Sequence, residues 1–156
     1  NYGGALYPTQ QAIQDGYDQI IWTDAATHQF VEEAGTMNLM FIVNGALVTA
    51  PTGDTILDGV TRKTVIQIAK DWGLDVQERP ISIKELVEGI ASGTVTEAFG
   101  AGTAAVIAPI QTIGFEGIDY ELPARKDSDF SAKVFIEINQ IRLGEIPDTR
   151  NLVWKV

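Results

Sequence analysis

The sequence predicts a single α/β domain in which helices pack on a mixed β-sheet. Helix-like and strand-like segments alternate along its 156 residues, and no linker-like stretch divides them. The pair Asn44-Gly45 stands between two apolar runs and predicts a β-hairpin, because both residues accept the positive φ angles of a type I′ turn. A hairpin is antiparallel, so we do not expect a purely parallel sheet. Hydrophobic residues make up 45% of the chain, which is enough for one sizeable core.

Four segments have the apolar spacing of helices and end in a glycine, and three of these glycines are predicted helix ends. The segments are residues 7–16, 57–73, 82–93 and 129–144, with Gly16, Gly73 and Gly144 as the predicted helix ends. The third segment opens with Ser82 and Glu85 at the spacing of a capping box. The side chains expected to face the core are Val65, Ile68, Ala69 and Trp72 in the second segment, Ile83, Leu86, Val87 and Ile90 in the third, and Phe130, Val134, Ile138 and Ile141 in the fourth.

Strand-like runs occupy most of the remaining chain. They are residues 17–24, 29–33, 38–43, 46–51, 74–80, 94–99 and 103–114. The polar residues 25–28 predict a turn between the first two runs, and a glycine-rich stretch separates the last two. With the helices between them, these runs predict a mixed sheet rather than a bundle or a sandwich.

Charge and composition exclude several classes of function. The net charge of -10 argues against nucleic acid or an anionic membrane as a partner, because both require a basic patch. The chain has no cysteine, which excludes disulfides, zinc–cysteinate sites and thiol nucleophiles. We expect a cytoplasmic protein, because no targeting signal or bilayer-length apolar run occurs. The single histidine, His28, lies in a polar turn and no metal-ligand spacing occurs, so we expect it at the surface and no metal site.

The stretch "LDGVTR", residues 57–62, is a candidate anion site. If a helix starts near Asp58, the backbone N–H groups of Gly59, Val60 and Thr61 have no intrahelical acceptor. The helix dipole adds partial positive charge at that end, which favours a phosphate. The alternative is an ordinary helix start with Asp58 as the N-cap, and the stretch taken alone favours this alternative.

The stretch "FGAGTAA", residues 99–105, is a second candidate. Gly100 and Gly102 can take positive φ angles and let successive N–H groups converge on an anion, and Thr103 adds a hydroxyl donor. The alternative is a bulge or a tight bend between two strands. The spacing matches neither a Walker loop nor a dinucleotide fingerprint.

The stretch "EEAGTMN", residues 32–38, raises a different question. Successive side chains on a strand point to opposite faces, so an outward Glu32 makes Glu33 inward. A buried carboxylate is costly unless it is paired or hydrogen-bonded. Glu33 therefore needs a cation or a proton, and the simpler alternatives are a salt bridge to an arginine such as Arg62 or an edge position facing water.

Taken together, these stretches resemble a known family. The segments "NYGGAL", "GYDQIIWTD", "FVEEAGTMNLMFIV", "ILDGVTR", "ERPISIKEL" and "TEAFGAGTAAVIAPI" follow one another in the order found in the larger, C-terminal domain of branched-chain amino acid aminotransferases. These are pyridoxal 5′-phosphate (PLP) enzymes of fold type IV. The resemblance covers essentially the whole chain. It implies a mixed sheet that forms a pseudo-barrel with packed helices, as one cofactor-binding domain over residues 1–156.

The resemblance also implies contacts to the cofactor ring. Glu33 matches the acid that pairs with the pyridine nitrogen, where a carboxylate keeps that nitrogen protonated and makes the ring a better electron sink. Tyr2 matches the tyrosine that hydrogen-bonds the phenolic oxygen. Thr36 and Leu57 match residues on the two faces of the ring.

Contacts to the cofactor phosphate and to the substrate carboxylate are implied in the same way. Val60 and Thr61 match the helix-start residues that hold the phosphate, and Thr103 matches a further phosphate ligand. Thr103 and Ala104 together match the turn that meets the substrate, with the Ala104 amide on its carboxylate. Asp58 is often a proline in the family, which also suits a helix start.

The resemblance implies that the intact enzyme contains more than this chain. The lysine that forms the Schiff base is expected just upstream of Asn1, as is a small N-terminal domain that shapes the substrate pocket. We therefore expect residues 1–156 alone to be inactive. The intact protein is expected to be a homodimer that acts on amino acids and 2-oxo acids, moving the amino group of Leu, Ile or Val to 2-oxoglutarate. The alternatives are D-amino acid transamination, an aminodeoxychorismate lyase-like activity, and a non-catalytic anion-binding module.

Overall fold

The structure is a computed structural model that describes residues 3–153. Its helices are α1 (Gly3–Gln14), α2 (Val60–Asp71), α3 (Ile83–Ser92) and α4 (Phe130–Leu143). Its strands are β1 (Ile21–Thr23), β2 (Val31–Ala34), β3 (Met37–Val43), β4 (Ala46–Thr49), β5 (Val76–Glu78), β6 (Val95–Gly102), β7 (Val106–Ile110), β8 (Thr112–Phe115) and β9 (Ile118–Glu121). Within these residues no helix has both the length and the apolar character needed to cross a bilayer.

Seven strands form one mixed sheet, which confirms the predicted fold class. The strands run β1-β2-β3-β4-β5, while β6 pairs with β3 and carries β7 beyond it. The β4–β5 pair is parallel and the remaining pairs of this sheet are antiparallel. A separate hairpin is formed by β8 and β9. The pairing within residues 3–153 does not show a closed barrel, so the pseudo-barrel stays a prediction.

Strand β3 is the centre of the sheet and divides two apolar layers. Met40 and Ile42 point into one core cluster, which includes buried side chains of α2 and α4. Leu39 and Phe41 point into the other, which includes buried side chains of α3. This alternation follows from the period of two along a strand and explains why the run "NLMFIV" is apolar on both faces.

The predicted hairpin and helix ends are confirmed where local sequence determines them. Asn44 and Gly45 have φ angles of 50° and 79° at the β3–β4 turn. The Ser82 side chain accepts a hydrogen bond from the Glu85 backbone N–H at the start of α3. Gly144 ends α4 in the left-handed region, with φ of 73°. Each of these features depends on residues that are close together in the sequence, so the chemistry of those residues was enough to predict it.

Several boundaries differ from the prediction. Helix α1 begins four residues before the predicted start and contains Pro8. Helix α2 begins at Val60 with Gly59 as its N-cap, so an Asp58 N-cap is wrong. The Asp58 carboxylate instead forms an ion pair with Lys63, one turn into the helix. The single strand predicted for residues 103–114 is divided between β7 and β8, and β9 was not predicted.

Candidate functional site

Glu33 is the chemical centre of the candidate site. It lies half-buried on β2, and its partner across the antiparallel pair is Asn38 of β3. Its Oε1 accepts a hydrogen bond from Asn38 Nδ2 at 2.9 Å and one from the Leu57 backbone N–H at 2.7 Å. No lysine or arginine within residues 3–153 forms an ion pair with it. A carboxylate that is partly withdrawn from water, ordered and not paired with a cation can bind a cationic ligand group.

The salt bridge to Arg62 that the sequence left open is wrong. Arg62 is buried, with 2% of its surface exposed, and its guanidinium is held by groups other than Glu33. It donates to the Ala50 carbonyl and to the Glu78 carboxylate, both at 2.8 Å. Arg62 therefore ties α2 to the ends of β4 and β5, and its charge is already neutralised there.

The start of α2 lies beside Glu33 and is open to a ligand. The residue before the helix, Gly59, makes no side-chain cap, so the first N–H groups of α2, those of Val60 and Thr61, have no capping acceptor from it. Val60 is 78% exposed and Leu57 is 71% exposed, although both are apolar. An uncapped helix start with an apolar rim can take an anion on its amides and an apolar ring against its side chains.

The turn between β6 and β7 is brought to the same end of the sheet. Asn38 pairs with Glu33 on one edge of β3 and with Ala101 of β6 on the other. The turn at residues 103–105 therefore follows β6 close to the β2–β3 turn, where Thr36 lies exposed. Gly102 shows how close the two turns are, because a Cβ built on it would lie 2.9 Å from the Thr36 carbonyl oxygen.

The predicted role of the two glycines in "FGAGT" is wrong. Gly100 and Gly102 do not have positive φ angles and belong to β6, so they do not form an anion-binding loop by that route. Both occupy crowded positions instead, since a Cβ on Gly100 would lie 2.7 Å from Met37 Sδ and a Cβ on Gly102 would lie 2.9 Å from the Thr36 carbonyl oxygen. The positive φ angle in this region belongs to Val106, at 60°, on the far side of the turn.

The structure thus gathers most of the predicted site residues around one end of β3. The residues gathered there are Glu33, Thr36, Leu57, Val60, Thr61, Thr103 and Ala104. Tyr2 lies outside the described residues. Asn38 is a site residue that the sequence reasoning missed, and its signal was a polar side chain at the head of an apolar run. His28 is exposed, as predicted, and residues 3–153 hold no cluster of three or more side chains suited to a metal.

Two carboxylates outside the site have clear structural roles. The Asp24 carboxylate accepts hydrogen bonds from the Phe30, Thr27 and Gln29 backbone N–H groups and from the Thr27 hydroxyl, and these hold the pKa of Asp24 well below its ordinary value. The Asp119 carboxylate accepts the Tyr17 hydroxyl at 2.6 Å, which raises the pKa of Tyr17. These contacts fix loops rather than a reacting group.

A cavity of about 670 Å³ lies apart from Glu33. It is bordered by the end of α1, by β1, and by β7 and β8, with Val31, Leu86 and Ile113 among its apolar lining. These three side chains belong to the core cluster on the α3 side of the sheet. Glu33, Leu57 and Val60 do not line this cavity, so its volume does not describe the site around Glu33.

Comparisons with known proteins give a consistent match. Residues 1–113 match the family described as amino-transferase class IV. The chain is 38% identical over its whole length to the branched-chain-amino-acid transaminase 1 of Bacillus subtilis, of which it covers 43%. The chain therefore spans less than half the length of this relative.

Solved structures give the same result. The branched-chain aminotransferase of the thermophilic archaeon Thermoproteus uzoniensis with norvaline has a TM-score of 0.77 and 32% identity, with 98% of this chain and 46% of that one covered. The PLP form of the Thermobaculum terrenum branched-chain aminotransferase has a TM-score of 0.77 and 26% identity, with 92% and 43% covered.

Proposed function

Because the chain belongs to the amino-transferase class IV family, we propose that it is the cofactor-binding domain of a PLP-dependent branched-chain aminotransferase. The intact protein would transfer the amino group of Leu, Ile or Val to 2-oxoglutarate. The observation that carries this proposal is the half-buried Glu33 carboxylate, which accepts two hydrogen bonds and has no ion pair with the described residues. The named activities of the relatives support the substrate class.

The residues at the end of β3 fit PLP. The Glu33 carboxylate suits the cationic ring nitrogen, and its Oε1 is already held by Asn38 and Leu57. The uncapped start of α2 suits the phosphate, because the Val60 and Thr61 amides lie at the positive end of the helix dipole. The exposed Leu57 side chain supplies an apolar surface for the ring.

When bound, PLP supplies an electron sink for the carbanion that forms at the substrate Cα. The protein residues then have separate tasks. Glu33 holds a proton on the ring nitrogen, while Val60 and Thr61 anchor the phosphate at the helix start. Thr36 and Leu57 confine the ring, and Tyr2 would donate to the phenolic oxygen. Thr103 and the Ala104 amide would orient the substrate carboxylate at the neighbouring turn.

The nucleophilic lysine of the proposed enzyme would lie upstream of Asn1, as the family resemblance implies. That lysine would carry the Cα proton as the general base. We therefore expect residues 1–156, expressed alone, to show no turnover in a coupled transaminase assay. Clear turnover, or borohydride trapping of PLP on one specific lysine of this chain, would contradict this assignment of the nucleophile.

The main test uses the intact protein with PLP. We expect transamination of Leu, Ile and Val with 2-oxoglutarate. We also expect the absorption band of protein-bound PLP to appear when PLP is added. Preference for D-alanine, or release of pyruvate from aminodeoxychorismate, would replace the proposed substrate class with one of the alternatives. Phosphate binding without any PLP-dependent turnover would indicate a non-catalytic anion-binding module. Light scattering of the same sample tests the homodimer, which the family resemblance supports.

A further inference from the structure

Asn38 is a buried polar residue at the centre of the site. Its side chain is on the central strand, and only 5% of the residue surface is exposed. An amide withdrawn from water in this way is costly unless its donors have partners. The side-chain nitrogen of Asn38 has two acceptors, and both belong to the candidate site.

Three hydrogen bonds close a ring around Asn38, Glu33 and Leu57. Asn38 Nδ2 donates to Glu33 Oε1 at 2.9 Å and to the Leu57 carbonyl oxygen at 2.8 Å. The Leu57 N–H donates to the same Oε1 at 2.7 Å. The orientation of the amide is determined by chemistry, because a carboxylate and a carbonyl oxygen can only accept.

This ring leaves the two carboxylate oxygens of Glu33 in different states. Oε1 accepts two hydrogen bonds, whereas Oε2 accepts none from the residues that the structure describes. Two bonds to one oxygen restrict the side-chain torsions and the plane of the carboxylate. The second oxygen is thereby presented to a ligand without a further loss of side-chain entropy on binding.

We propose that Asn38 is a positioning residue that anchors Glu33 through Oε1 and so leaves Oε2 for the ring nitrogen of PLP. The same amide donates to the Leu57 carbonyl oxygen and therefore fixes the position of the loop before α2, whose start is the proposed phosphate site. The proposal rests on the proposed function, since it requires PLP as the ligand. Asn38 makes no contact with the reacting atoms and acts only through Glu33 and Leu57.

The first test is Asn38→Asp in the intact protein. Aspartate has nearly the same shape as asparagine, but in its ionised form it cannot donate and it places a second carboxylate against Glu33. We expect the Kd for PLP to rise at least about tenfold, with a shift in the absorption maximum of bound PLP that matches the shift in Glu33→Gln. The matched control is Thr49→Val, which removes another buried hydrogen bond of the sheet, from Thr49 Oγ1 to the Leu39 carbonyl, without touching Glu33. The control should keep the PLP affinity within about twofold and leave the absorption maximum unchanged.

The second test is the reversed pair, Glu33→Gln with Asn38→Asp. In this double variant the glutamine amide on β2 can donate to the aspartate carboxylate on β3, which restores the bond between the two strands, while the Leu57 N–H and carbonyl oxygen lose their partners. The repulsion of two carboxylates is removed at the same time. We expect the melting temperature to recover towards that of the wild type, while the absorption maximum stays that of Glu33→Gln alone. Recovery of the fold without recovery of the spectrum separates the positioning of Glu33 from general support of the sheet.

Three results would overturn the proposal. The first is a PLP affinity in Asn38→Asp within about twofold of the wild type. The second is fully independent, multiplicative effects of Asn38→Asp and Glu33→Gln on the PLP Kd, since the part of the effect that passes through Glu33 should vanish once Glu33 is changed. The third is failure of both Asn38→Asp and the reversed pair to fold, which would make Asn38 a residue of the fold alone. Failure of the proposed function would be seen separately, as absence of PLP binding in the wild type.

Discussion

Gly59 lies against the side-chain amide of Asn38, so closely that a Cβ built on Gly59 would be 2.3 Å from Asn38 Oδ1. This contact joins the N-cap of α2 to the central strand of the sheet. Gly59 has φ of -65° and ψ of 137°, an extended conformation that any residue can adopt. The glycine is therefore required by lack of space and not by its backbone angles.

The first prediction concerns Gly59→Ala. The clash with a buried amide should cost about 1–3 kcal/mol, which exceeds the roughly 0.4–1 kcal/mol gained from a less flexible unfolded chain. We expect a lower melting temperature and a higher Kd for PLP, because relief of the clash moves either Asn38 or the start of α2. The matched control is Gly53→Ala, where a Cβ would meet nothing within 4 Å. Equal melting temperatures for the two variants would contradict the crowding at Gly59.

The second prediction concerns Glu97, which caps α4 from a distant strand. Its two carboxylate oxygens accept the Phe130 and Ser131 backbone N–H groups, both at 2.9 Å. Glu97→Gln would turn one acceptor into a donor that faces a backbone N–H, and would remove a negative charge at the helix start. We expect a loss of about 1–2 kcal/mol in the free energy of unfolding, measured by urea denaturation.

A nearby carboxylate provides the control for Glu97. Asp129 is the N-cap residue of α4, yet its side chain makes no cap and accepts the Lys126 N–H instead. Asp129→Asn removes the same charge near the same helix end and keeps an acceptor. It should change the free energy of unfolding by less than about 0.5 kcal/mol, as a surface charge does. A larger loss for Asp129→Asn than for Glu97→Gln would show that Glu97 is not the cap.

These contacts show which features of the fold and of the candidate site can be predicted from the sequence. The Asn44-Gly45 turn and the Ser82 cap were predictable, because each depends on residues within one turn of the chain. Glu97 caps a helix that begins 33 residues later, and no local pattern records that pairing. Most of the candidate site residues were proposed from the family resemblance, whereas Asn38 depends on a strand register that only the folded sheet defines.

The third prediction is a pH dependence at Asp24. Because backbone N–H groups hold the folded-state pKa of Asp24 below its unfolded value, its contribution to stability is present above about pH 4 and is lost as the pH falls below that. Asp24→Asn should therefore lower the melting temperature at about pH 7, and the gap to the wild type should narrow between about pH 4 and about pH 2. The exposed Asp54→Asn is the control and should show no such narrowing. If the difference in melting temperature between the wild type and Asp24→Asn widened as the pH fell, the pKa of Asp24 could not be lowered by folding.

The fourth prediction separates two glycines of β6 by what they touch. A Cβ on Gly100 would meet the Met37 side chain, with Sδ at 2.7 Å, whereas a Cβ on Gly102 would meet the Thr36 carbonyl oxygen at 2.9 Å as well as Met37 Cγ at 3.0 Å. A flexible side chain can be shortened, but a backbone oxygen stays in place. Met37→Ala should therefore recover part of the stability lost in Gly100→Ala and much less of that lost in Gly102→Ala.

Two double-mutant cycles on the free energy of unfolding measure this difference. We expect each glycine variant to cost about 1–3 kcal/mol, with a larger coupling to Met37→Ala for Gly100 than for Gly102. Gly102→Ala should also raise KM for the amino acid more than the Kd for PLP, because it pushes the turn that carries Thr103 and Ala104 away from Thr36, while Glu33 and the start of α2 stay in place. Equal coupling in the two cycles would mean that Met37, and not the Thr36 carbonyl, limits the space at both glycines. In that case the close approach of the two turns would be set by a side chain, and the KM effect of Gly102→Ala should disappear in the Met37→Ala background.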